Sequence, residues 1–141
     1  MVLVNTVILV KSDLGLGDTQ VAMALGAFGG GSMLAALILP RLLDNRPDRP
    51  VMIAGASSLV IVLLALGLWV AVAGPLWIVL LVGWVAIGVG YSVVLTPSGR
   101  LLKRSAHPED RPAVYAAQFA LSHACWLLTY PLSGWLITAF G

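Results

Sequence analysis

Four apolar runs, each free of Asp, Glu, Lys and Arg, dominate this sequence: residues 21–40, 51–73, 76–95 and 113–140. Each reaches roughly 20 residues, enough as a helix to cross about 30 Å of hydrocarbon at 1.5 Å per residue. A lone segment in lipid must satisfy its own backbone hydrogen bonds, which a helix does and an isolated strand does not. A barrel would need alternating segments of about ten residues, and the sequence has none. The expected fold is an all-α integral membrane protein with about four transmembrane helices in one membrane domain. Composition agrees: 60% of residues are hydrophobic and 10% charged, against about a quarter charged in soluble domains. So few charges could not cover a water-facing surface, and a net charge of +2 is too sparse for a nucleic-acid interface. The lipid bilayer is the implied partner.

The charges that do occur are segregated. Residues 41–50, RLLDNRPDRP, carry Arg41, Arg46 and Arg49. Residues 96–112, TPSGRLLKRSAHPEDRP, carry Arg100, Lys103, Arg104 and Arg111. Only Lys11 of the eight basic residues lies elsewhere. Cytoplasmic loops concentrate Lys and Arg, so both basic loops are expected inside a plasma or inner membrane. Gly74–Pro75 makes the uncharged outer turn, and both chain ends fall outside. Met1–Val10 is an apolar stretch half a bilayer long, read as a partial helix, and the chain stops at Gly141 as the fourth span finishes. These ends lead us to expect a piece of a longer protein.

Motifs with chemistry are few. Gly26 and Gly30, with Ala22 a turn earlier and Gly29, Gly31 and Ser32 beside them, would let another helix approach closely, as would Gly83, Gly88 and Gly90. The fourth span is the most polar. Tyr115, Phe119, Ser122, Trp126, Thr129 and Ser133 share one face by 3–4 spacing, and Phe119, His123, Trp126 and Tyr130 form an overlapping strip, with Gln118 beside it. His123 is the one His, acidic or basic side chain in any span. Polar groups at membrane depth usually face protein or a water-filled path, so His123 is either a solute- or proton-handling group or a neutral histidine bonded to a neighbouring helix. Pro131 should kink the span. Trp69, Trp77 and Trp135 read as interfacial anchors; Trp84 and Trp126 are expected to pack more deeply. His107, Glu109 and Asp110 lack metal-ligand spacing with a second pair, so no metal or other cofactor is expected. Cys125 and His123, two residues apart, point to different faces. No catalytic motif is present, and an enzyme is not expected. The lone cysteine excludes an intrachain disulfide.

The loop from Pro40 to Arg49 resembles the short cytoplasmic loop of major facilitator superfamily transporters, roughly G-x-x-x-D-R-x-G-R-R. Asp44 matches the acid and Arg49 the last basic residue; Pro40, Asn45, Pro47 and Asp48 replace the first Gly, the first Arg, the second Gly and the next Arg. The succession of a basic loop, a tight outer turn and a longer basic loop is similar to helices eight to eleven of such a transporter, with Met1–Val10 at the end of helix seven. The resemblance implies alternating-access transport of a small solute, with the other transporter half as partner. It also implies a cytoplasmic charge network of Asp44, Arg46 and Arg49. The residues expected to line the solute path are Gln118, His123, Trp126 and Tyr130. The alternative is a complete four-helix membrane protein serving as an accessory or assembly subunit. A small dimeric exporter fits poorly, since no span carries an acid.

Overall fold

The computed structural model of the chain describes residues 2–44 and 46–140; Met1, Gly141 and Asn45 of the loop motif lie outside the described residues. The order is α1 (Val2–Ile8), a π-helical turn (Leu9–Asp13), α2 (Asp18–Leu43), α3 (Asp48–Ala73), α4 (Trp77–Ser105) and α5 (Arg111–Phe140). Three of these, α2, α3 and α4, are long and apolar enough to cross a membrane. The expected fourth span, α5, has 30 residues but is not among those three. Gln118, Ser122, His123, Thr129 and Ser133 interrupt its apolar run with polar groups.

α4 is the central element, packed against α2 on one side and α3 on the other. Its glycines allow this. Gly88 faces the backbone of α2 at Phe28, while Gly83 and Gly90, seven residues apart, face Leu66 and Leu59 of α3. On α2 the packed face is Ala24, Gly31, Ala35 and Leu39. The face expected to pack, Gly26 and Gly30, is open: a Cβ on either would meet nothing within 4 Å. The glycine count was informative, but the helix phase was decided by which residues oppose α4.

The buried cluster of Val10, Ala24, Leu80, Trp84 and Ile87 lies toward the end opposite the basic loops. The Trp84 indole N–H donates to Thr6 Oγ1 at 2.6 Å, both residues being buried, and ties α1 to α4. Elsewhere α3 shows lipid-type exposure, with Leu64, Leu68 and Val72 at least two-thirds exposed. An apolar surface of that extent is unstable in water and ordinary in a bilayer.

One boundary differs markedly from expectation. α4 does not stop at residue 95 but runs to Ser105, so the second basic loop shrinks to residues 106–110. Charged residues end a hydrophobic run without ending a helix, and Lys103 and Arg104 in the last turn suit the negative end of the helix dipole. The tight turn at Gly74–Pro75 is as expected. Gly74 adopts φ +77, where a side chain would be strained, and its N–H caps α3 on the Val70 carbonyl at 3.0 Å.

Candidate functional site

α5 holds to the rest of the chain at few points. Near its start the Tyr115 hydroxyl donates to the Gly99 carbonyl of α4 at 3.3 Å. Near its end the buried Ser133 hydroxyl donates to Asn5 Oδ1 of α1 at 3.0 Å. Both residues belong to the face read from 3–4 spacing, but Phe119 and Trp126 of that face are exposed, so the face meets the bundle only near its two ends. The overlapping strip is largely open between those ends. There the Phe119 and His123 rings lie 3.8 Å apart, His123 and Trp126 4.9 Å, and Trp126 and Tyr130 6.3 Å, edge to face.

The strip borders an open cavity of about 440 Å³ lined by His123, Trp126, Leu127, Tyr130 and Pro131. Three of the four expected path residues therefore share one recess, while Gln118 is exposed on a different side of the helix. The His123 imidazole is half-buried, and Nδ1 lies 2.8 Å from the Phe119 carbonyl one turn back. In the tautomer that bonds there, Nδ1–H is the donor and Nε2 is the acceptor left for a ligand. Trp126, expected to pack, is half exposed, whereas Trp84 packs fully. α5 is helical on both sides of Pro131. A second, apolar recess of about 290 Å³ lies near α1, lined by Leu9, Leu66 and Leu80 among others. Its polar members Asn5 and Trp84 already bond Ser133 and Thr6.

Charge gathers at the other end of α4. Asp48, the first residue of α3, is buried with its side chain 3% exposed. Arg104 Nη1 donates to its Oδ2 at 3.0 Å, and Arg100 Nε stands 3.6 Å from Oδ1. The start of α3 and the end of α4 thus meet at one end of the bundle. Asp44, Arg46 and Arg49 make no ion pair among the described residues, and all three are exposed. The engaged carboxylate is Asp48, which the loop motif would have filled with Arg. The sequence held a signal for it: an acid directly after Pro47 at a helix start, and Arg100 and Arg104 spaced i, i+4 to share a face.

The family model of the Major Facilitator Superfamily matches residues 1–141. The chain belongs to the major facilitator superfamily. It is a multi-pass membrane protein of a transporter family whose members are not, in general, enzymes. Among curated proteins and among solved structures, nothing matches this superfamily chain.

Proposed function

We propose that this superfamily chain moves a small solute across the plasma or inner membrane by alternating access. In such transporters two halves rock about a site near the midplane. The chain would supply helices of the second half, corresponding to helices seven to eleven, with α5 as a membrane span and both basic loops cytoplasmic. The opposing half, in this or another polypeptide, completes the path.

The observation that carries this is the α5 strip. A path-lining helix needs a polar or aromatic face left open by its own bundle, and His123, Trp126 and Tyr130 provide one around a single recess. Few contacts hold α5 to the other helices, which suits an element that shifts between states. α2, α3 and α4 form the more closely packed unit against which it moves. One observation favours the accessory-subunit reading instead: the open Gly26–Gly30 face of α2 is a surface on which another helix could dock.

Thiol labelling separates the two. In a Cys125→Ser background, single cysteines at positions 126 and 130 should react with a membrane-impermeant maleimide. Cysteines at 121 and 128, on the opposite face, should not. Equal labelling of both faces, or of neither, would remove α5 from a solute path.

A further inference from the structure

Arg100, Lys103 and Arg104 at the end of α4 and Arg111 at the start of α5 surround one open recess of about 390 Å³. Asp48 is the single carboxylate bonded there, and it engages only Arg100 and Arg104. Lys103 and Arg111 make no ion pair among the described residues. Glu109 and Asp110 of the adjoining loop are exposed and pair with neither. Arg111 Nε is shut off from solvent without an acceptor among the described residues. A buried guanidinium donor without an acceptor is costly. Four cations against one bonded carboxylate leave the recess strongly positive.

Its depth in the membrane follows from α4. Trp77 starts the helix at the Gly74–Pro75 end, and Arg100 follows it by about 35 Å of helix at 1.5 Å per residue. That exceeds a hydrocarbon core of about 30 Å, so the recess stands at headgroup level. Exposed apolar residues, Leu101 and Leu95 on α4 and Phe119 on α5, follow within about two turns on the helices that flank it. A phosphate placed in the recess would carry acyl chains alongside apolar side chains, which a free anion would leave unused.

We propose that this recess binds the phosphate of an anionic phospholipid, bridging the end of α4 to the start of α5. The Arg111 guanidinium and Lys103 Nζ supply the donors that Asp48 leaves unused, and Arg100 and Arg104 contribute charge while remaining on Asp48. Guanidinium and ammonium groups at headgroup level are suited to such phosphates. The inference rests on the membrane reading of α2, α3 and α4. The lipid would act as a strap between two helices that otherwise meet, near this end, through Tyr115 and Gly99.

The full chain in mild detergent, with bound lipids counted by native mass spectrometry, tests this. The probes are phosphatidylglycerol, phosphatidylcholine of the same acyl chains, and inorganic phosphate. The native chain should retain phosphatidylglycerol over phosphatidylcholine by roughly tenfold. Lys103→Gln with Arg111→Gln, neither in an ion pair, should bring that ratio close to one. Arg46→Gln with Arg49→Gln removes equal charge from the neighbouring loop and should leave most of the preference. Equal loss in both double variants, or no preference in the native chain, would overturn the site. Displacement of the lipid by equimolar inorganic phosphate would overturn the lipid assignment. Flotation with phosphatidylcholine vesicles is scored separately: a chain that does not float fails the membrane reading itself.

Discussion

Gly31 and Gly88 lie across the α2–α4 contact in reciprocal positions. A Cβ on Gly31 would collide with the carbonyl of Val85, three residues before Gly88; a Cβ on Gly88 would collide with that of Phe28, three residues before Gly31. The obstacle in each case is backbone, which cannot rotate away as a side chain can. Gly31→Ala or Gly88→Ala should therefore force the helices apart and cost about 1–3 kcal/mol. Gly30→Ala meets nothing within 4 Å and should be neutral or gain up to about 1 kcal/mol of helix propensity. Unfolding of the purified variants in mixed micelles measures the difference. Equal stability of all three would mean that α2 and α4 do not pack in this register.

The Asp48 carboxylate gives an asymmetric prediction. Its side chain is 3% exposed while that of Arg104 is 65% exposed. Removing Arg104 alone leaves Arg100 near Asp48, and the pair is partly screened, so Arg104→Gln should cost about 1 kcal/mol or less. Removing both arginines strands a buried carboxylate and should cost roughly 3 kcal/mol. Adding Asp48→Asn to the double variant should recover part of that loss. The same unfolding assay reads the series, and additive effects of the two arginine replacements would refute a shared partner.

Trp84 and Thr6 join α1 to the bundle with both groups buried. Thr6→Val keeps the shape and leaves the indole N–H without that acceptor, at an expected cost of about 1–2 kcal/mol. Hydrogen exchange should localise the effect: amides of residues 2–16 should exchange faster, and those of α3 should not change. Uniform acceleration would place the bond in the global core instead of at the α1 attachment.

The membrane helices were legible because lipid imposes one rule on long stretches of sequence. Charge-free length alone located α2, α3 and α4 to within a few residues at most ends. The exceptions are physical. α4 outran its apolar segment because Arg100, Lys103 and Arg104 tolerate a helix as well as Leu does. Helix phase was not legible from Gly26 and Gly30, because small residues permit close packing on any face and the partner's position selects one. Spacing put Tyr115, Phe119, Trp126 and Ser133 on one face of α5; Tyr115 and Ser133 bond neighbouring helices, while Phe119 and Trp126 are exposed. Asp48 was obscured by the very motif that drew attention to its loop, since the motif expects a base there and the carboxylate's partners lie more than fifty positions later.

His123 allows two roles to be told apart by choice of substitution. Its ring packs, tilted, between those of Phe119 and Trp126, and Nδ1 is tied to its own helix. Phe in its place keeps the stack and removes Nε2; Gln removes the stack and keeps a polar end. The strip is open on one side, so both variants should stay within about 0.5 kcal/mol of the native chain in stability. A solute that binds the folded chain raises its thermal midpoint, so a panel of small solutes can be screened by that shift. For a solute recognised through the imidazole, the shift should vanish in His123→Phe and persist in part in His123→Gln. It should also vanish in Trp126→Ala, which removes the wall of the recess. A full shift in His123→Phe would assign the histidine to the aromatic stack alone, leaving Trp126 and Tyr130 to hold the solute.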